Sequence, residues 1–354
     1  MRPRIFLALT ICSGIFLTSI LFVSSAFPNH LRDVELSGSA YVVNKESKSV
    51  TVVELSSFTV EDEIQLSIEP HEASSDLTAR VVVSNYGNHD EQGRTISIID
   101  HKSKSVLDHL DMGENTKPHD LEWILGTELV AVANDMSNEI ILANIKSGDI
   151  IRRFRTGQLR THMLDVDTNR KRIYAVNQTS KSITVINYKS LVIEANIHLQ
   201  IEISDAAVQP DGAMFWVLDE KTNAALVIDA KDFSVQKRIQ VGANPKRIRF
   251  TPNGKRALIT NFTDGSVSIL DTDSKREMKR ITIPGKRNYL ERIFMHTPTP
   301  IGLLVHPDGR YALIANSNAH QLVILDITKG KLMGSINVGK RPDGIAYVRD
   351  QTNP

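Results

Sequence analysis

Three histidines stand at similar intervals along the chain, and two of them are followed directly by a carboxylate. His71 precedes Glu72, His119 precedes Asp120, and His162 lies 43 residues after His119. Neutral imidazoles suit a late transition metal, and a neighbouring carboxylate can complete or orient such a site. A His–carboxylate pair can also act as a general base near neutral pH. Since no local ligand spacing such as His-x-x-x-His is present, the fold would have to bring these residues together.

The elements that could do so are seven copies of a short apolar strand, each of which ends at Asn or Asp. The terminal residues are spaced 41, 49, 43, 42, 42 and 55 residues apart. They are Asn44, Asn85, Asn134, Asn177, Asp219, Asn261 and Asn316. A period near forty that is built from short β-branched runs is typical of a β-propeller with one four-stranded blade per repeat. The sequence therefore predicts an all-β, seven-bladed β-propeller.

A second polar residue follows most strand ends after ten residues, or after fifteen in the second blade. These residues are Glu54, Asp100, Asn144, Asn187, Asp229, Asp271 and Asp326. Short Asx side chains bond to backbone two residues ahead and close tight turns. Because both sets recur in every blade, we expect a structural role for them and a functional site where the repeat is broken.

The two ends of the chain complement each other. Residues 341–348 match the innermost strand of a blade, but the chain stops before a second strand follows. The first repeat begins directly with the strand that contains residues 41–44. We expect the N- and C-terminal strands to complete one blade together, which leaves the ring without an open edge.

At these strands the chain resembles the YVTN family of seven-bladed propellers, exported bacterial proteins named for the strand written here as YVVN. The resemblance covers residues 40–349. It is strongest to a subgroup whose blade starts read here as Pro70-His71-Glu72, Pro118-His119-Asp120, Thr161-His162-Met163 and Pro342-Asp343-Gly344. The resemblance implies the fold and an exported location, and it implies no single reaction.

The N-terminus has the pattern of a targeting segment. Arg2 and Arg4 precede an uncharged apolar run at residues 5–23, and a small-residue cleavage site follows at residues 24–26. We expect residues 1–26 to be a signal peptide or a retained anchor, residues 27–39 a short lead-in, and residues 40–350 the propeller. The propeller would then be periplasmic or extracellular, with membrane contact only through a retained N-terminal segment.

Composition restricts the classes of partner. Cys12 is the only cysteine, so a propeller without residues 1–26 would hold no disulfide and would depend on its core. Without Arg2 and Arg4, 40 of the 42 basic side chains remain against 41 acidic ones. This balance favours neither nucleic acid nor an anionic membrane surface as a partner.

Aligned blades place the starts of the innermost strands at one mouth of the central channel. A dense set of titratable groups in a concave place is the default position for a ligand. The candidate ligand-binding residues are His71, Glu72, His119, Asp120, His162, Asp205, Arg247 and Asp343. Longer loops at residues 86–94 and 284–299 could fold over the mouth as a partial lid.

Three functions fit this set. In the first, the propeller binds a small molecule or an exported or cell-envelope protein at the mouth. In the second, His71, His119 and His162 bind copper, zinc or iron in a metal-dependent enzyme. In the third, a His–carboxylate pair catalyses lactonase- or lyase-like acid–base chemistry while Arg247 holds an anion. The identity of any cofactor or substrate stays open in the sequence.

Overall fold

A computed structural model of the chain describes residues 30–285 and 298–350. These residues form seven four-stranded antiparallel sheets. The strands of blades 1 to 3 are β1 (Ser39–Asn44), β2 (Ser49–Glu54), β3 (Thr59–Gln65), β4 (Pro70–Ser75), β5 (Arg80–Gly87), β6 (Gln92–Asp100), β7 (Ser105–Asp111), β8 (Pro118–Trp123), β9 (Leu129–Asn134), β10 (Glu139–Asn144) and β11 (Ile150–Arg155).

Blades 4 to 7 repeat the same order of four strands. Their strands are β12 (Thr161–Asp167), β13 (Arg172–Asn177), β14 (Ser182–Asn187), β15 (Val192–His198), β16 (Ile203–Val208), β17 (Met214–Asp219), β18 (Ala224–Asp229), β19 (Val235–Gln240), β20 (Pro245–Phe250), β21 (Arg256–Asn261), β22 (Ser266–Asp271), β23 (Arg276–Thr282), β24 (Pro300–Val305), β25 (Tyr311–Asn316), β26 (Gln321–Asp326) and β27 (Lys331–Asn337). The last strand, β28 (Pro342–Val348), belongs to blade 1.

The innermost strands form a closed ring around the channel. In order they are β28, β4, β8, β12, β16, β20 and β24, and each contacts the next, including β24 with β28. Seven apolar clusters form the core, and most of them lie where one blade packs on the next. In one of them, the fully buried Trp216 of blade 5 packs with Ile248 of blade 6. The predicted all-β, seven-bladed propeller is confirmed.

The two termini close the ring as expected. Strand β28 pairs antiparallel with β1, and Tyr41 lies opposite Ala346 in this register. The backbone N–H of Gly38 also donates to Asp350 Oδ2 at 2.9 Å. Because β28 is hydrogen-bonded to β1 and contacts both β24 and β4, the ring has no open edge at this blade.

The recurring polar residues have structural roles, but the two sets differ in how far they close turns. Asn144 and Asp229, from the second set, accept backbone N–H groups two residues ahead at 3.0 and 2.7 Å. Among the strand-end residues, Asp219 accepts the N–H of Thr222, three residues ahead, at 3.3 Å. The turn-closing prediction was wrong for the four strand-end residues whose amides donate to hydroxyls across the blade, which are Asn44, Asn85, Asn177 and Asn261.

Helical structure among the described residues is limited to two single 3₁₀ turns, Leu31–Asp33 and Ser317–Ala319. Neither has the length or hydropathy needed to cross a membrane. The first turn packs on blade 7, where the N–H of His30 donates to the carbonyl of Met333 at 2.8 Å. The lead-in therefore contributes to the fold from its first described residue.

Of the two longer loops predicted to cover the mouth, the structure describes the one that follows Asn85. The loop after Asn85 extends the β5–β6 hairpin, so that Gly87 pairs with Gln92. At Gly87 φ is +75°, and a Cβ would lie 2.0 Å from the carbonyl oxygen of Glu91. Most of the loop at residues 284–299, and all of the predicted targeting segment at residues 1–26, lie outside the described residues. The lid and the targeting segment therefore stay predictions.

Candidate functional site

The innermost strands of all seven blades begin at one end of the channel, which we call the mouth. Each blade contributes residues from two equivalent positions there. The second residues of these strands are His71, His119, His162, Ser204, Lys246, Ile301 and Asp343. The residues directly after the strand-end Asn or Asp are Lys45, Tyr86, Asp135, Gln178, Glu220, Phe262 and Ser317. Several pairs join one blade to the next, as where Glu220 binds Lys246 at 2.5 Å. Neighbouring blades therefore build the mouth jointly.

The three histidines form a stack of imidazole rings. The centroid of His119 lies 3.9 Å from that of His71 and 3.4 Å from that of His162. Tyr86 packs edge-on against two of them, with centroid distances of 5.1 Å to His71 and 5.0 Å to His119. All three histidines are buried, and His119 is only 1% exposed. The fold thus brings the sequence-predicted histidines into direct contact.

Burial keeps the central and last imidazoles of this stack neutral. Desolvation, helped by the charges of His162 and His71, holds the pKa of His119 well below its usual value. Desolvation also lowers the pKa of His162 to about 4, although Asp135 opposes the change. At pH 7 both rings therefore keep a nitrogen lone pair that can bind a proton or a ligand.

His162 is oriented by a carboxylate that the sequence analysis did not single out. Its Nδ1 lies 2.8 Å from Asp135 Oδ1, and Tyr86 donates its hydroxyl to Asp135 Oδ2, also at 2.8 Å. Burial opposes ionisation of Asp135, but His162, the Tyr86 hydroxyl and Arg160 together outweigh it and lower the pKa of the carboxyl. Because an ionised carboxylate only accepts, Nδ1 of His162 carries the proton and Nε2 keeps its lone pair.

His71 lies in a second, charged part of the mouth. Lys45 Nζ is 2.8 Å from His71 Nε2 and 3.6 Å from Asp343 Oδ2. On the other side of the ring, Nδ1 is 3.6 Å from Glu72 Oε1 and 3.5 Å from Asp343 Oδ2. Since an ammonium group only donates, Nε2 of His71 is the acceptor and its Nδ1–H faces two carboxylates.

His71, Glu72 and Asp343 could together hold a cation. In the described residues, the group of candidate metal ligands whose atoms all lie within 4.8 Å of one another consists of His71, Glu72 and Asp343. His119 and His162 are stacked beside this group and do not belong to it. The two carboxylates already have cationic partners, because Lys45 lies next to Asp343 and Arg247 binds Glu72.

Arg247 and Glu72 form the floor of the mouth. Their strands, β20 and β4, belong to blades 6 and 2, so the ion pair crosses the channel. Burial opposes the charge on Glu72, but Arg247 and His71 together outweigh it and hold the pKa of the carboxyl below its usual range. The same two side chains, Arg247 and Glu72, also line a cavity of about 160 Å³ that none of the three histidines lines.

Two of the predicted site residues tie blades together. Asp205 accepts the N–H of Ala206 at 2.9 Å and that of Ile248, in the next blade, at 3.0 Å. Asp120 likewise accepts the N–H of Leu121 and that of Leu164, in the next blade, both at 2.9 Å. Because both oxygens of each carboxylate are occupied by backbone, these residues hold neighbouring innermost strands in register.

The other six predicted residues, His71, Glu72, His119, His162, Arg247 and Asp343, form a connected cluster at the mouth. The sequence analysis missed Lys45, Tyr86 and Asp135, which contact these histidines. Their shared position directly after a strand-end Asn was the available signal.

Comparisons with known proteins agree with this architecture. A protein of Salmonella typhimurium (strain LT2), uncharacterized protein YncE, is 23% identical over 214 residues. The match covers 55% of this chain and 59% of that protein.

Two solved structures have a similar fold. Hydrazine synthase of Kuenenia stuttgartiensis has a TM-score of 0.69 and 18% identity, and the match covers 88% of this chain and 99% of that one. Dihydro-heme d1 dehydrogenase NirN, in complex with DHE, has a TM-score of 0.63 and 13% identity, with 87% and 74% covered. The sequence model of a propeller family also matches nearly the whole chain, as the strand motif had led us to expect. The chain belongs to the YNCE-like beta-propeller family, which matches residues 6–352.

Proposed function

We propose that the chain is an exported propeller that binds a small ligand at the mouth. One observation carries the proposal. His119 Nδ1 and Asp343 Oδ1 are buried and have no hydrogen-bond partner among the described residues, and the carboxylates nearest to His71 Nδ1, at 3.5 and 3.6 Å, are too distant for an ordinary hydrogen bond. An unpaired buried polar group costs about 1–3 kcal/mol, and native proteins pair nearly all of them. Three such atoms in one cluster favour a ligand that supplies both a donor and an acceptor.

The chemistry of the mouth indicates what this ligand would offer. His119 and His162 are neutral at pH 7, so their free nitrogens accept or donate single hydrogen bonds without adding charge. Lys45 is the most accessible charged group of the cluster, with 29% of its side chain exposed. A small polar molecule with an anionic or carbonyl group near Lys45 fits this arrangement best. An exported or cell-envelope protein would instead contact the extended β5–β6 hairpin.

Native mass spectrometry of the chain, purified from its own host, tests this proposal. We expect a small molecule that dissociates on denaturation and is lost in His119→Ala. The matched control is His198→Ala, because His198 is exposed on an outermost strand. A native mass equal to the polypeptide alone in the wild type would contradict the proposal. Fractionation of the host cells and N-terminal sequencing of the mature chain test the export.

A metal-dependent or acid–base enzyme is the second candidate. The close approach of His71, Glu72 and Asp343 favours a divalent transition metal, and the Asp135–His162 pair favours a general base. Lys45 opposes the metal, because its ammonium group already lies 3.6 Å from Asp343 Oδ2, one of the three candidate ligands. If a metal binds there, Lys45→Met should tighten zinc or copper binding in calorimetry and Asp343→Asn should weaken it. No uptake by either variant would exclude the metal.

A tetrapyrrole is the first organic ligand to titrate, because one solved structure of similar fold contains DHE. Absorbance spectroscopy with haemin would show a Soret shift if an imidazole of the stack ligates the iron. Loss of that shift in both His119→Ala and His162→Ala, with retention in His198→Ala, would place the ligand at the mouth.

A further inference from the structure

The channel contains a second compartment below the Arg247–Glu72 ion pair. It is a cavity of about 160 Å³ whose wall includes Asp120, Glu122 and Arg249. A single buried water needs only about 10–15 Å³ by a comparable measure, so a ligand of several heavy atoms fits. None of the stacked histidines lines this cavity. It is therefore distinct from the mouth.

The cavity wall offers hydrogen-bond donors that suit a carboxylate. Arg247 is 6% exposed and lines the cavity, and its Nε has no hydrogen-bond partner. Arg249 also lines it, and its bonds to Asp205 Oδ2 at 3.1 Å and to the carbonyl of Ile248 at 2.7 Å both use Nη1. Guanidinium groups recognise carboxylates through paired, charge-assisted hydrogen bonds. The unpaired Nε of Arg247 is the observation that calls for an acceptor.

The same wall carries carboxylates in excess of these cations. Arg247 is paired with Glu72 and Arg249 with Asp205. Glu122 remains and lines the cavity, whereas both oxygens of Asp120 already accept backbone N–H groups. Burial raises the pKa of Glu122 to about 7. A nearby cationic group would stabilise the ionised form of this carboxyl.

Part of the cavity wall is apolar. Leu77, Leu304 and Tyr347 belong to it, and Leu125, which also lines the cavity, is 47% exposed and therefore lies at its opening. Pockets that recognise small molecules combine such apolar walls with a few fixed polar groups. Here the polar groups of the wall have both signs of charge.

We infer that this cavity is a second ligand site, and that it takes a small α-amino acid with an apolar side chain. The carboxylate of the amino acid would bind Arg247 Nε and Arg249. Its ammonium group would meet Glu122, and its side chain would lie against Leu77, Leu304 and Tyr347. A ligand with only one of the two charges would leave the opposite group of the wall uncompensated.

Isothermal titration calorimetry of the full exported chain tests this inference, with L-valine as the probe and isobutylamine and isobutyrate as single-charge analogues. We expect saturable binding of L-valine and at least tenfold weaker binding of both analogues. Glu122→Gln and Arg249→Gln should each weaken L-valine binding at least tenfold. The matched control Arg280→Gln, on an outermost strand, should bind as the wild type does.

Two further variants separate this site from the mouth and from a folding defect. Leu125→Trp should block the opening without touching the polar wall, and His119→Ala should leave L-valine binding intact. Loss of binding in His119→Ala would overturn the inference while leaving a ligand at the mouth possible. Absence of heat at millimolar L-valine would overturn it as well. Unchanged affinity in Glu122→Gln, Arg249→Gln and Leu125→Trp, in chains that unfold at the wild-type midpoint, would have the same consequence.

Discussion

Arg247 and Glu72 are 175 residues apart in the chain and form a buried ion pair across the central channel. Each side chain lies on an innermost strand, and each is about 6% exposed. The pair lies between the imidazole stack of the mouth and the lower cavity, which both side chains also line. One contact between blades 2 and 6 therefore forms part of both places.

Arg247→Met is expected to lower the free energy of unfolding by about 3–5 kcal/mol, because it leaves the Glu72 carboxylate buried without its cation. Urea denaturation followed by circular dichroism measures this loss. The matched control is Arg256→Met, whose partner Asp271 is partly exposed on the outer part of blade 6, and there the loss should be about 0–1 kcal/mol. Equal losses in the two variants would contradict the expected effect of burial on the pair. The double variant Glu72→Gln/Arg247→Met should recover part of the stability.

His162 is expected to titrate with a pKa of about 4 in NMR spectra of its ring protons. Its folded-state pKa lies below the unfolded value near 6.5, so the unfolded chain binds more protons between these pH values. Stability contributed by this group is thus lost as pH falls from 6.5 to 4, by up to about 3 kcal/mol. Between pH 6.5 and 4, the free energy of unfolding of the wild type should therefore fall by up to that amount more than the free energy of unfolding of His162→Gln.

Asp135→Asn supplies the control for this titration. Asp135 raises the pKa of His162 against the effect of burial, so its removal should lower the pKa further. A pKa of His162 near 6.5 in the wild type, or an upward shift in Asp135→Asn, would contradict the assigned geometry.

Asp205→Asn is expected to destabilise the propeller by about 2–3 kcal/mol, because the amide offers one acceptor where the carboxylate serves two backbone N–H groups and Arg249. Thermal unfolding measures the change. Asp229→Asn serves as the control, since Asp229 accepts N–H groups through one oxygen at an exposed turn and should stay within about 0.5 kcal/mol. A neutral Asp205→Asn would show that this blade junction does not depend on the carboxylate.

Truncation after Asp343 should abolish cooperative unfolding, because it removes most of β28 and exposes the edge of β1. The chain truncated after Asp350 keeps all the described contacts of this closure, so it should unfold at the same temperature as the full chain. Circular dichroism melts of the two truncated chains make the comparison. A cooperative melt of the shorter chain at the wild-type temperature would mean that the ring is held closed without β28.

The repeat made the fold and part of the site predictable. Strand alternation and turn residues act over a few residues, so seven copies in the same phase indicate seven blades whichever residues fill the core. The shared register also explains why His71, His119 and His162 were expected at one mouth, and they do contact one another. By the same reasoning Asp120 and Asp205 were expected there. Their carboxylates instead bind backbone between blades.

By itself, then, the sequence determined the architecture, the closure by both termini and the register positions that surround the channel. Only the tertiary structure decided which side chains at those positions meet. Lys45 reaches His71, Asp135 orients His162, and Arg247 crosses to Glu72. The physical reason is that these contacts join residues on different blades. Their distances depend on how the closed ring sets the angle and spacing of neighbouring sheets, which no local pattern specifies.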